Sequence, residues 1–178
     1  MSKPTLIDSN PEMGTRAKAI MVGMTELEYA WAAGFIEADG CIHLTRSQNC
    51  RVQVVVVQKE LMPIQRLQRI FDDHSAIGIV TRRGGTATYF RVSFSSQRGV
   101  DVLKKILPYL EHKRAIAELA LELAERRIAY DRDKTVSRGH GKRIDPSELR
   151  AREAIIDRAR DLTGQAERLS EPAPQRTH

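Results

Sequence analysis

The chain has 178 residues and a formal net charge of +6, from 29 Lys and Arg against 23 Asp and Glu. Its hydrophobic content of 41% is enough to build a core, which excludes a globally disordered chain, and the length suits one domain with a tail. The only cysteines, Cys41 and Cys50, have neither CxxC spacing nor paired histidines, which excludes a zinc module and a disulfide framework and makes a reducing compartment the expectation. No apolar run approaches the roughly 18 residues of a membrane span. The stretch from Met1 to Gly14 shows no signal-peptide core, so a protein that is not secreted and has no membrane partner is expected.

The charge is unevenly placed. Residues 1–40 hold three basic and six acidic side chains, whereas residues 41–100 hold nine basic and three acidic ones. A polyanion partner is therefore expected at the middle segment. Residues 111–178 are heavily charged but nearly balanced, with 15 basic and 13 acidic side chains, the pattern of solvated helices.

Residues 1–24 lack clear periodicity and read as an extended, partly flexible lead-in. Thr25-x-x-Glu28 is a capping-box pattern. Behind it Leu27, Ala30, Trp31, Gly34, Phe35 and Ala38 recur at helical spacing, with Gly40 expected to supply a left-handed stop. Cys41 to Arg46 alternates, with Ile42 and Leu44 opposite His43 and Thr45. Ser47-Gln48-Asn49 reads as a turn. Arg51 to Val57 alternates again, with Val52, Val54 and Val56 opposite Arg51, Gln53 and Val55, completing a hairpin with one apolar face. Glu60 to Phe71 is a predicted helix. Ile77 to Arg82 and Thr86 to Ser95 are predicted strands around Arg83-Gly84-Gly85, a second hairpin. Val100 to Leu110 and Lys113 to Ala129 are predicted helices, the first disturbed by Pro108. Residues 131–144 read as a link. Asp145-Pro146-Ser147-Glu148 starts a further helix, with Asp as N-cap and Pro at its first position, running to about Leu162. Residues 170–178 read as a disordered tail.

Two hairpins can pair into one four-stranded antiparallel sheet with helices on the apolar face and the polar face open. The expected class is α+β, with a core at 25–130 and an added C-terminal helix within 131–169. Val56, Val57, Tyr89, Phe90 and Phe94 are expected in the core, with Trp31 packed under the sheet. Aromatic content of 5% argues against a single-strand binder built on base stacking.

Residues 32–40, AAGFIEADG, resemble the nine-residue motif of the LAGLIDADG homing endonucleases, with identity at Ala33, Gly34, Ile36, Ala38, Asp39 and Gly40. The element order over 25–130 matches the αββαββα core of that family. A single motif copy implies the homodimeric type. Independently of the name, Ala33, Gly34 and Ala38 leave a helix face nearly bare, so two such helices can approach closely. The resemblance implies Asp39 as metal ligand with the Ala38 carbonyl assisting, and Glu37 as a structural residue near the dimer interface. It assigns Gln58 to orienting the attacking water and Lys113 to stabilising charge at the scissile phosphate. A hard carboxylate oxygen suits Mg²⁺, with Mn²⁺ as substitute.

The partner implied is double-stranded DNA, read by the polar sheet face in the major groove. The candidate contacts are His43, Thr45, Ser47, Asn49, Arg51, Gln53 and Val55 on the first hairpin, and Ile79, Thr81, Arg83, Thr88 and Arg91 on the second. The implied activity is double-strand cleavage of a pseudo-palindromic site with 3′ overhangs, in a bacterial cytoplasm or an organelle matrix. The competing reading is an intron-splicing maturase or a non-cutting DNA-binding regulator on the same fold.

Overall fold

The computed structural model describes the backbone of residues 11–46, 50–81, 87–133 and 144–170, and side chains between 25 and 164 within those ranges. In chain order the elements are α1 (Pro11–Asp39), β1 (Gly40–Thr45), β2 (Arg51–Gln58), α2 (Leu61–Ile70), β3 (Gly78–Thr81), β4 (Thr88–Ser95), α3 (Gln97–Ile106), a 3₁₀ turn (Leu107–Tyr109), α4 (Arg114–Arg132) and α5 (Pro146–Ser170). The strands form one antiparallel sheet in the order β1-β2-β4-β3. The α+β expectation and the pairing of the two hairpins into one sheet agree with this architecture, in which β2 and β4 are the strands that join them.

The sheet has one covered side because its apolar residues share one parity. Val52, Val54 and Val56 are buried on β2. Val54 and Val56 lie directly opposite Phe94 and Val92 on β4, so both strands turn the same face inward. Onto that face pack α1 through Ala32, Ala33 and Ile36, α2 through Ile64 and Leu67, and α3 through Val102, Leu103 and Ile106. The α4 residues Ala117, Ala120 and Leu123 complete the layer. The i, i+3 and i+4 spacings make each helix a single apolar stripe. Phe71 closes the α2 end, meeting the Phe94 ring edge-on at 5.4 Å.

Two sequence expectations are corrected at α1. The helix begins at Pro11, so residues 11–24 are helical rather than an extended lead-in, and the Thr25-x-x-Glu28 pattern lies inside the helix instead of capping it. Met, Ala, Arg and Lys are good helix formers and outweigh the glycines in that stretch. Trp31 is partly buried and packs against the core. It stacks on Phe35 at 5.2 Å, and the Arg66 guanidinium of α2 lies 4.0 Å from its ring centre.

Helix α5 starts as expected, with the Asp145 carboxylate accepting the N–H of Ser147 at 2.7 Å. These bonds, led by the Ser147 hydroxyl, hold the Asp145 carboxyl below its ordinary pKa. The helix is fastened to α4 by Glu148, which pairs with Arg126 of α4 at 2.8 Å and, through its other oxygen, with Arg152 one turn on at 2.8 Å, a side chain only 2% exposed. The calls on Ser47, Asn49 and Arg83, on most of the 131–144 link and on the tail beyond 170 lie outside the described residues.

Candidate active site

Helix α1 runs into β1 with no intervening loop, so Asp39 ends the helix and Gly40 begins the strand. Gly40 is not in the left-handed region expected of it. Its role is close approach, since a Cβ there would lie 2.7 Å from the Ile36 carbonyl oxygen and 2.9 Å from the Ile36 Cα. Both are backbone atoms that cannot rotate aside. Gly40→Ala is therefore expected to cost roughly 1–3 kcal/mol and to displace Asp39, read as a lower denaturation midpoint together with lost activity.

The register decides what reaches Asp39. Gly40 pairs with Val56, and β2 continues past it to Gln58. That overhang carries Gln58 alongside the helix end. Its amide nitrogen donates to Asp39 Oδ2 at 2.9 Å, and its Oε1 accepts the Lys59 N–H at 2.7 Å. Gln58 is thus the last ladder residue of β2, opposite Phe90. Its parity, shared with the core valines, turns it toward the helix end.

Lys113 arrives from the far side of the sequence. Leu110, fully buried, anchors the turn before α4. The Lys113 ammonium then donates to three carbonyls at the end of α1: Ile36 at 2.9 Å, Gly40 at 2.8 Å, and Glu37. In return, Glu37 Oε1 accepts the N–H groups of Glu111 and Lys113, both at 2.9 Å. Burial lowers the Lys113 pKa, opposed by Cys41, Glu37 and Asp39. Burial pushes the Glu37 carboxyl up, but the Lys113 and Glu111 amides more than offset it and leave its pKa lowered.

The uncovered face of the sheet follows from the same register. Cys41, His43 and Thr45 pair with Val55, Gln53 and Arg51, and Gln53, Val55 and Val57 pair with Ser95, Ser93 and Arg91. His43, Thr45, Arg51, Gln53, Val55 and Arg91 therefore share that face. On β3, Val80 pairs with Tyr89 and joins it. The second hairpin needs correction, because Ile79 pairs with Phe90 and Thr81 with Thr88. Ile79, Thr81 and Thr88 accordingly have the parity of the helix-covered face, although Ile79 is 70% exposed beyond the core. Val57 and Tyr89 were expected in the core and lie instead on the uncovered face, where Val57 is 39% exposed. Val56, Phe90 and Phe94 do pack in or against the core.

The bare face of α1 is narrower than its composition implies. A Cβ added to Gly34 would meet nothing within 4 Å, and Ala38 is exposed. Ala33 is 0% exposed within the chain, so its methyl group serves the protein's own core. Glu37 turns its carboxylate onto α4. Of the motif residues read as a contact face, Gly34 and Ala38 are the ones left open.

The family model for LAGLIDADG endonucleases matches residues 32–121, which spans the motif, Asp39, Gln58, Lys113 and the whole sheet. The chain belongs to the LAGLIDADG endonuclease family. It is 33% identical over 108 residues to DNA endonuclease I-CvuI of Chlorella vulgaris, a stretch covering 57% of this chain and 66% of that protein. The fold is similar to the crystal structure of I-CvuI in complex with its target in the presence of 2 mM Ca, with a TM-score of 0.56 at 25% identity, covering 87% of this chain and 88% of that one. It also resembles the fold of I-GzeII solved with a DNA target, with a TM-score of 0.52 at 15% identity, over 72% of this chain and 43% of that one.

Within this LAGLIDADG chain, the donor set for a cation is sparse. Among the described residues, no group of three or more His, Cys, Asp or Glu could hold a metal ion. Asp39 supplies one exposed hard carboxylate. That fits a cation which takes the rest of its shell from water and phosphate, and two Asp39 residues meeting at a seam would fit better still. Among the described residues, no helix is long and apolar enough to cross a membrane.

The residues that sequence reasoning missed are Tyr89, Ser93 and Ser95. Anchoring β4 on its buried Val92 and Phe94 would have placed all three on the uncovered face. Ser93 accepts from the Gln53 amide at 2.6 Å.

Proposed function

We propose that the chain is a site-specific double-strand DNA endonuclease that acts as a homodimer. The observation that carries this reading is the meeting of Asp39, Gln58 and Lys113 at one end of α1, beside a sheet whose other face is uncovered. Asp39 and the Ala38 carbonyl would hold a divalent cation, Mg²⁺ with Mn²⁺ as substitute. When bound, that cation supplies an activated water and offsets charge on the leaving oxygen. Gln58 keeps the Asp39 carboxylate oriented and offers an amide to the attacking water. Lys113 places a positive charge at the same helix end. Gly34 and Ala38 of two copies would bring the two Asp39 residues together, one for each DNA strand. The predicted cleavage leaves 3′ overhangs on a pseudo-palindromic site, and the protein works where its DNA lies, in a bacterial cytoplasm or an organelle matrix.

The uncovered face is the proposed DNA platform. His43, Thr45, Arg51, Gln53 and Arg91 reach toward base edges and phosphates, and Tyr89 and Ser93 extend the surface. Arg51 and Arg91 contribute to the salt dependence. Replacing either by Gln is expected to weaken binding across sequences and to reduce the slope of log K against log salt by about 1, measured by fluorescence anisotropy at several salt concentrations.

The deciding experiment incubates the protein with Mg²⁺ and a plasmid carrying the joined flanks of its own gene. Linearisation with 3′ overhangs is the expected result. Tight binding to that plasmid without any cutting would replace the nuclease reading with that of a regulator. Binding of the matching RNA alone would replace it with that of a maturase.

A further inference from the structure

We infer that Glu37 is a positioning residue for the cleavage reaction, acting through Lys113. This rests on the nuclease reading above. Among the motif residues around it, Ala33 and Ile36 enter the core and Gly34, Ala38 and Asp39 are exposed, but the Glu37 carboxylate turns to the backbone just before α4. One oxygen accepts the Glu111 and Lys113 amides, where α4 begins. The same Lys113 returns its ammonium to the Ile36, Glu37 and Gly40 carbonyls, where α1 ends. The C-terminus of α1 is thereby capped by the Lys113 ammonium, while the Glu37 carboxylate holds the turn that leads into the N-terminus of α4, and each charge has the sign that the nearby helix dipole favours. Lys113, the N-cap residue of α4, makes no side-chain cap hydrogen bond, and it is the Glu37 carboxylate that fixes its backbone N–H instead.

The consequence for the site is geometric. Asp39 lies two residues beyond Glu37 on the same helix turn. Lys113 has rotatable carbon–carbon bonds and several donors, so the backbone position of the α4 start, together with the three α1 carbonyls, sets where its ammonium goes. Glu37 holds that backbone. Removing the carboxylate releases the start of α4 and with it the distance between the Lys113 charge and Asp39. A displacement of about 1 Å at such a group is enough for about a 100-fold loss of rate.

The test uses the full-length protein and the duplex that the wild type cuts, with Glu37→Ala, Glu37→Gln and Glu37→Asp. Gln keeps the reach and an accepting oxygen for both amides but loses the charge. Asp keeps the charge and loses the reach. The expected result is a single-turnover rate lowered at least about tenfold in Ala and Asp and restored to within a few-fold in Gln, with DNA affinity and sedimentation of the dimer unchanged. If Ala fails to fold, Gln faster than Asp still supports the proposal, and Asp faster than Gln overturns it. Lost dimerisation or affinity at an unchanged rate overturns it in favour of an interface residue, as does an unchanged rate in all three variants. If the wild type cuts no duplex, the nuclease reading fails separately, and amide hydrogen exchange decides the clasp. Slow exchange at Glu111 and Lys113 that becomes fast in Ala supports it, and unchanged exchange overturns it.

Discussion

Asp39→Asn is expected to lower the cleavage rate by on the order of 10³-fold or more while leaving the fold and DNA binding in place. The substitution is nearly isosteric. The Asn carbonyl can still accept the Gln58 amide that now reaches Asp39 Oδ2 at 2.9 Å, so the helix end keeps its geometry. What is lost is the negative charge, and among the described residues no cluster of other His, Cys, Asp or Glu replaces it. DNA affinity should be equal or slightly higher, because one repulsion with phosphate is gone. Gel-resolved single-turnover cleavage and anisotropy on the same duplex check both halves. Wild-type cutting by the variant would remove Asp39 from the chemistry.

Gly34→Leu is expected to separate folding from assembly, with effects of opposite sign. Within one copy the added side chain meets open space, since nothing lies within 4 Å of a Cβ at Gly34. Replacing Gly in the middle of a helix also removes a cost of about 1 kcal/mol. An isolated copy should therefore be no less stable and up to about 1 kcal/mol more so. If two α1 helices meet at Gly34 and Ala38, the leucine holds them apart. Joining two DNA-binding halves is worth about 10²–10⁴ in affinity, so DNA binding and double-strand cleavage should fall by at least about 100-fold. Sedimentation velocity, thermal denaturation at low protein concentration and plasmid linearisation together read the outcome. A variant that still forms dimers and linearises plasmid would place the seam elsewhere.

Both outcomes depend on features that differed in how far the sequence revealed them. The alternation of Val52, Val54 and Val56 and the Asp145-Pro146 helix start were legible because each is carried by adjacent residues and a fixed period. The start of α1 was not. Thr25 and Glu28 have the chemistry of a cap, but the flanking residues continue the helix from Pro11. The face of β4 was misread for a related reason. Thr88 looks like a platform residue and Tyr89 like a core residue, but the ladders give Thr88 the parity of Val92 and Phe94 and put Tyr89 on the uncovered face. Shifting a strand by one residue inverts every side chain on it.

The charge distribution also took a different meaning in three dimensions. The middle segment holds the basic excess, yet Arg66 lies over Trp31 and Arg98 pairs with the buried Asp73. Among the described residues, Arg51 and Arg91 put that charge on the uncovered face, while Arg46 is tied to Asp157 and Glu153 of α5. A segment total therefore overstates the local field that a polyanion would meet.

The sequence by itself determined the family, the α+β order of elements and the carboxylate at the end of the motif helix. These are local properties, in which a contiguous run of residues dictates both the helix and what terminates it. Tertiary structure alone decided which side chains share the uncovered face, that Ala33 and Glu37 turn inward while Gly34 stays open, and that Lys113 caps α1. Those outcomes depend on cross-strand register and on packing between segments more than 70 residues apart, as in the contact of Lys113 with Glu37. No short window of sequence contains both partners of such a contact, so only the closed fold could bring them together.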